Sequence, residues 1–388
     1  MSKVDERVWA GIDVLLDDYA RLVPEDQVLV AYTPESRESA AWIATVLRMR
    51  GMEAALLGMR PKPFPDETFP QRLDAALPPA ESLKGKLVII TVERDSMSHM
   101  MTFRNALARY DLDKWLAVRI INASQDFFLK ALNVRSGMLS ELNAGLLDRF
   151  MKARELKVKT PSGTDLRIGL DSERYRWISN RGVWRPGSFV ILPAGEVATF
   201  PGTVDGVLVA DGAFNINALT QVDARLAKNP IRIRIQDGHA VDYECDSPEV
   251  SRLVEAVFAQ PNSRRVGEVG FGTNGGLGEF ISMNSHINER HPGVHLGFGQ
   301  HNQSIHVLDY YSPIHMDLIS PGGQVWVDDD QVPLDLLNLK PSQVPHPKLV
   351  FNEDIDGNCC GLTGDEEMRE VCPLPDRLKA STRTQRAG

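Results

Sequence analysis

Ser312–Ser320 reads Ser-Pro-Ile-His-Met-Asp-Leu-Ile-Ser, an apolar run that carries a histidine and an aspartate two positions apart. Alternate residues of a β-strand project from the same face. His315 and Asp317 are therefore expected side by side, with Ile314, Met316 and Leu318 turned into packing. Two polar groups on a buried strand need a hydrogen-bond partner or a metal ion. More residues of the same kind lie nearby: six of the nine histidines fall between 286 and 315, namely His286, His291, His295, His301, His306 and His315. His295 precedes Leu-Gly-Phe-Gly, Glu268 stands in Val-Gly-Glu-Val-Gly, and Glu196 stands in Pro-Ala-Gly-Glu-Val. Glycine beside each candidate lets the backbone approach a ligand closely. Imidazole and carboxylate together suit zinc, manganese, cobalt or ferrous iron. Three such ligands hold one cation with open positions, and five or more can hold two, about 3.5–4 Å apart. Taken singly, each residue also has an ordinary reading, as a solvated carboxylate or a hydrogen-bonded core histidine.

The elements that must position these residues fall into two patterns. In the first part, short apolar runs alternate with helical periodicity: Gln27–Pro34, then Ser36–Gly51, Glu53–Gly58, Lys86–Val92 and Leu116–Ser124, with helices near 97–110, 125–134 and 138–153. Strands alternating with helices imply a parallel sheet covered on both faces. The proline-rich stretch 61–80 reads as a loop. After about 155 the pattern changes to short strands with glycine turns. Glu155–Leu170 alternates around Ser-Gly-Thr-Asp as a hairpin, further strands are expected at 187–197, 204–214 and 231–244, and one helix at 247–260. Ile314–Ser320 and Gly323–Val332 are expected to pair as the last two strands. The expected architecture is an α/β domain with a parallel sheet over 1–154, a β-rich α+β metal-binding catalytic domain over 155–350, and a polar tail over 351–388. Gly270–Gly275 matches G-x-G-x-x-G, but it opens no helix within a βαβ unit, so dinucleotide binding is set aside.

The 388 residues, 43% apolar and 24% charged, fit a soluble globular chain of two domains. A net charge of −9 argues against nucleic acid or an anionic membrane as partner. No apolar stretch approaches the roughly 20 residues that span a bilayer, and the charged, amphipathic start lacks a signal-peptide core, so a cytoplasmic location is expected. Cys245, Cys359, Cys360 and Cys372 form no Cys-x-x-Cys pair, and free thiols are expected.

Five stretches recur together in order: Thr160–Leu170, Leu192–Val209, Val266–Asn274, Gly293–Gly299 and Ile314–Ser320. The series resembles the aminopeptidase T family of metallo-aminopeptidases. It is also similar to a ring-cleaving relative in the same superfamily, 2,5-dihydroxypyridine 5,6-dioxygenase. The aminopeptidase resemblance implies a homo-oligomer with a two-metal site whose ligand positions fall on Glu196, Glu268, His295, His315 and Asp317. The chain departs from that family where a tyrosine usually follows the histidine matching His295; here it reads Gln300, His301, Asn302. The dioxygenase has histidine where this chain has Glu268, and it lacks counterparts of Glu196 and His295.

The expectation is a metal-dependent hydrolase, aminopeptidase-like, acting on a small amide, short peptide or aminated compound through one or two divalent ions (Zn, Mn, Co or Fe(II)). Glu268 is its candidate base, and His301 the candidate donor to a tetrahedral intermediate. The alternative is a non-haem Fe(II) ring-cleaving dioxygenase using His315, Asp317 and either Glu268 or His295, with Phe298, Tyr310 and Tyr311 available to stack on an aromatic substrate. A non-catalytic metal-binding protein is a third reading. His99 is a further candidate from the first domain.

Overall fold

The structure, a computed structural model, describes residues 4–61, 64–94, 98–304 and 306–347. The expected tail at 351–388, with Cys359, Cys360 and Cys372, lies outside the described residues; Cys245 is a free thiol. By its internal contacts the chain forms two compact units. Met1–Leu139 with Asn180–Ala194 make the first, and Ser140–Ser179 with Gly195–Asn352 the second. This division differs from a single cut at 154/155. Among the described residues no helix is long and apolar enough to cross a membrane.

In the first unit, helix α1 (Arg7–Val14) precedes β1 (Gln27–Tyr32), α2 (Arg37–Met49), β2 (Ala54–Gly58), α3 (Phe69–Ala76), β3 (Leu87–Val92), α4 (Met100–Leu107) and β4 (Trp115–Ile120). Every residue of β3 and β4 is buried, which is why these strands read as continuous apolar runs rather than alternating ones. The sheet is parallel, in the order β2-β1-β3-β4-β8, where β8 is Phe189–Leu192. One expectation changes here: the 61–80 stretch, read as a loop, contains α3. The helix expected near 125–134 forms as a short π-helical segment, Phe127–Ala131.

In the second unit, α5 (Ser136–Phe150, begun in the first unit) leads into β5 (Glu155–Lys159), β6 (Asp165–Gly169), β7 (Trp177–Asn180), β9 (Glu196–Thr199), β10 (Thr203–Ala210), β11 (Ala213–Ile216), β12 (Ile231–Gln236) and β13 (His239–Glu244). Then follow α6 (Pro248–Phe258), β14 (Val266–Gly272), α7 (His286–Glu289), β15 (Gly293–Gly299), β16 (His315–Pro321), β17 (Gln324–Val327) and β18 (Leu334–Asp335). The Ser247 side chain caps α6 by accepting from the Val250 N–H at 3.3 Å, ahead of Pro248 at the first helical position. A seven-stranded sheet runs β13-β12-β10-β6-β5-β17-β18, and a six-stranded sheet runs β11-β16-β15-β14-β9-β7. The two share one core: Leu156, Ile168, Leu208 and Ile233 from the first pack with Val197, Phe271, Leu296, Phe298, Met316 and Leu318 from the second. Phe150 of α5 closes on Phe271 with ring centroids 4.8 Å apart.

The hairpins at 155–170 and 231–244 form as expected, and β12 alternates buried and exposed residues throughout. Two strand readings are corrected. The run 187–197 is not one strand of the β-rich half: β8 joins the parallel sheet and β9 an antiparallel one. Pro193 between them lacks the N–H that would continue a ladder. The strands at 314–320 and 323–332 do not pair with each other. Beyond β16, Gly322 and Gly323 take positive φ of 63° and 106°, and β17 pairs with β5 and β18 instead. Positive φ at consecutive positions is cheap only for glycine.

Candidate metal centre

The six-stranded sheet separates two chemistries by alternation. Along β14, β15 and β16, Val269, Phe271, Val294, Leu296, Phe298, Met316 and Leu318 face the shared core. The residues between them face the other way: Glu268 and Gly270, His295 and Gly297, His315 and Asp317. Register then brings them together. Asn215 on β11 pairs with Asp317, Asp317 with Gly297, and Gly297 with Glu268, in one row across four strands. His295 pairs with Gly270 in the adjoining row, and Glu196 at the start of β9 pairs with Gly272.

The paired glycines make room. A Cβ on Gly270 would lie 2.0 Å from His295 Nε2, and one on Gly297 would lie 2.7 Å from His315 Cε1 and 2.9 Å from Asp317 Oδ1. Neither contact is tolerable, so the side chains of the cluster lie over bare backbone.

All five residues are buried: Glu196 3%, Glu268 4%, His295 0%, His315 5% and Asp317 1% exposed. They form two groups whose donor atoms lie within 4.8 Å of one another: Glu196, Glu268 and His295; and Glu268, His315 and Asp317. Glu268 belongs to both. His295 Nε2 lies 2.9 Å from Glu196 Oε1 and 3.5 Å from Glu268 Oε1, and His315 Nε2 lies 3.1 Å from Asp317 Oδ1. Yet His295 Nε2 and Nδ1, Glu268 Oε2 and Asp317 Oδ1 have no hydrogen-bond partner among the described residues. The nitrogen–oxygen contacts are short but misaligned for hydrogen bonding. Such an arrangement, costly when empty, is what donors converging on a cation present. The residues therefore fit a divalent metal: carboxylate and imidazole donors, buried, with lone pairs unclaimed.

His315 is also oriented. Its Nδ1–H donates to the Gln300 carbonyl at 2.7 Å, which leaves Nε2 directed at the cluster in the tautomer a ligand needs. On β9, the Asn143 amide from α5 donates to the Glu196 carbonyl at 2.8 Å and accepts from Thr273 Oγ1 at 2.7 Å, which anchors the start of the strand.

Burial pushes the Glu268 carboxyl up to about 7, with the charges of Glu196 and Asp317 adding to the rise and His295 and His315 opposing it. Burial also raises Asp317, against the pull of His315. Burial by itself disfavours charged His295 and His315, but the carboxylates around them outweigh it and hold both imidazoles well above their ordinary range. Glu196 goes the other way: burial would raise it, but the Arg290 charge and His295 keep it below the usual carboxylate range.

The other candidates lie elsewhere. His301 is not brought to the cluster: its Nε2–H donates to the Tyr310 carbonyl at 3.0 Å and its Nδ1 accepts from the Gln303 N–H at 3.2 Å, so both ring nitrogens are used structurally. Phe298 is in the core against Phe258, Tyr310 lies under Arg265 at 3.9 Å, and Tyr311 is on the surface. His99, in the first unit, contacts the Arg60 carbonyl at 2.9 Å and packs on Phe69. His291 stacks on Phe280 and His306 is exposed. Gly270–Gly275 runs out of β14 into a turn and opens no helix.

Two residues next to the centre were not expected. Arg290 forms an ion pair with Glu196 and another at 3.0 Å with Glu289, and both are buried. Adjacent Glu and Arg are ordinarily a solvated pair, and nothing in Ile-Asn-Glu-Arg-His marks them as interior.

A family model described as NicX, 2,5-dihydroxypyridine 5,6-dioxygenase, matches residues 119–333 of the 388. No curated protein matches the chain by sequence. Among solved structures, 2,5-dihydroxypyridine dioxygenase from Pseudomonas putida KT2440 is similar at 13% identity and a TM-score of 0.55, covering 89% of this chain and 98% of that one. Wild-type AmpT from Thermus thermophilus is similar at 16% identity and a TM-score of 0.51, covering 87% and 99%. These two likenesses are of fold.

Proposed function

The chain belongs to the 2,5-dihydroxypyridine 5,6-dioxygenase family, and from that membership and its donor set we propose a metalloenzyme that activates water to hydrolyse a small amide, short peptide or aminated compound. One observation carries the choice of hydrolysis. Each donor group contains one histidine and two carboxylates, with Glu268 common to both. Neither has the two histidines and one carboxylate typical of non-haem Fe(II) oxygenases. Oxygen-rich donors around a shared carboxylate suit two hard or borderline divalent ions and their bound water.

Glu196 and His295 would hold one cation, His315 and Asp317 the other, and Glu268 would serve both. A divalent cation held there supplies a Lewis acid and lowers the pKa of water towards neutrality. The chain's own residues do the rest. Glu268, the carboxylate common to both donor groups, is the candidate to take up a proton from bound water. The Gln300 carbonyl holds the His315 ring in place through Nδ1. Burial of all five side chains keeps bulk water from screening them. The reading also takes the protein to act on a small molecule without nucleic acid or membrane.

A second reading, Fe(II)-dependent ring cleavage, is supported by the family match itself. The discriminating experiment is turnover of aminoacyl anilides, short peptides and aminated or hydroxylated pyridines under argon and under air, with Zn(II), Mn(II) or anaerobically loaded Fe(II). Hydrolysis predicts equal rates with and without oxygen. Turnover only with Fe(II), consuming one O2 per substrate, overturns it in favour of ring cleavage.

A further inference from the structure

Glu196 is held on both of its oxygens by buried side chains. Its Oε1 lies 2.9 Å from His295 Nε2. Its Oε2 is held by the Arg290 guanidinium. Arg290 in turn contacts Glu289 Oε1 at 3.0 Å, and the same oxygen lies 2.6 Å from His286 Nδ1. The other oxygen, Glu289 Oε2, accepts from the Asn215 amide at 2.9 Å. Asn215 is pinned in register beside Asp317. A carboxylate–guanidinium–carboxylate chain thus runs from the centre to α7, with Arg290 1% and Glu289 4% exposed.

We infer that Arg290, locked by Glu289, is a positioning residue that presents Glu196 Oε1 to the cation shared with His295. A buried Arg with one carboxylate partner would satisfy charge alone. Here a second carboxylate, itself fixed by Asn215 and His286, sets where the guanidinium stands. Both contacts are made by one guanidinium nitrogen, Nη1, whose N–H bonds are fixed in the guanidinium plane, whereas those of an ammonium rotate freely. Groups that orient a ligand in this way typically change metal affinity about 10- to 100-fold when removed. Arg290 meets Glu196 directly, so its removal should fall chiefly on the cation that Glu196 and His295 would hold. The inference rests on the two-cation reading above.

The test is calorimetric titration of the full-length, chelator-stripped protein with Zn(II), with bound metal counted by elemental analysis. Wild type is expected to take up two equivalents. Arg290→Gln should weaken one equivalent by about 10- to 100-fold and leave the other near wild-type affinity. Asp317→Asn should weaken the other. Arg290→Lys, which keeps the charge and should fold where the neutral variant does not, is expected to restore part of the loss. Glu289→Gln should weaken the same equivalent as Arg290→Gln, by less. If wild type binds two equivalents and Arg290→Gln and Arg290→Lys bind both unchanged, the inference is overturned while the two-cation reading stands. Uptake of a single equivalent by wild type overturns both.

Discussion

Arg119 in the parallel sheet and Glu268 in the six-stranded sheet are both charged and both almost wholly buried, yet the protein treats them differently. Arg119 is saturated. Its Nη2 donates to Glu93 at 2.8 Å and to the Ser98 carbonyl at 2.6 Å, its Nε donates to Thr91 at 2.9 Å, and the guanidinium lies 5.0 Å from the Phe103 ring. Glu93 also accepts from the Ser98 N–H at 2.7 Å. Around Glu268, by contrast, oxygens and imidazole nitrogens are gathered closely but left without hydrogen bonds. Buried charge that finds all its partners within the chain is structural. Buried donor atoms that the chain gathers but leaves without hydrogen bonds, at a cost in stability, imply a partner from outside.

The largest contrast should come from removing a donor. Asp317→Asn or His315→Ala is expected to lower kcat/KM by at least about 10³-fold, about 4 kcal/mol. The metal-free Asp317→Asn protein should melt close to wild type, since relief of carboxylate repulsion offsets the lost ion pair with His315. A lower metal-free melting point would mean Asp317 is structural, as Arg119 is. Arg119→Ala should do the reverse, destabilising the fold by about 3 kcal/mol in urea unfolding with kcat and metal content per folded molecule unchanged. Saturation with Zn(II) at 100-fold over Kd should stabilise wild type by about 2.7 kcal/mol, and differential scanning calorimetry should find that gain reduced in Asp317→Asn. Gly297→Ala puts a methyl where His315 and Asp317 stand and should weaken Zn(II) binding about 10- to 100-fold, about 1.4–2.8 kcal/mol; an unchanged titration would show that the close approach is not needed.

A last contrast is in pH. His295 and His315 stand well above their ordinary range and Glu268 near 7 in the metal-free protein. A cation must therefore displace protons at neutral pH. Affinity should rise with pH through neutrality, by up to about tenfold per unit for each proton displaced, where ordinary histidines would level off above about 6.5. Titrations in buffers of different ionisation enthalpy read the protons released. Affinity flat from pH 6 to 8 would show that the donors are already deprotonated.

Much of the architecture was legible because it is local. Continuous apolar runs marked β1, β3 and β4 as strands buried on both faces, and two-residue alternation marked β12 and placed His315 beside Asp317. The same alternation marked His315 and Asp317 as candidate donors, and the resemblance completed the candidate set with Glu196, Glu268 and His295. What failed was non-local. The separation of β8 from β9 and of β16 from β17 depends on which distant strand offers a free edge, and no window of adjacent residues records that. Similarly, His301 sits in the same glycine-rich, histidine-bearing context as His295, and only the loop after β15 decides that its ring turns to Tyr310.

The sequence by itself determined the kinds of donor and their alternation with apolar residues, because side-chain chemistry and the two-residue period of a strand are properties of the chain. The tertiary structure alone decided that Gly297 stands between Glu268 and Asp317, that the two histidines fall in different donor groups, and that Glu289 and Arg290 lie inside. The first two depend on cross-strand register, which is set by the packing of whole sheets against a common core; the third depends on where α7 meets the sheet through Asn215.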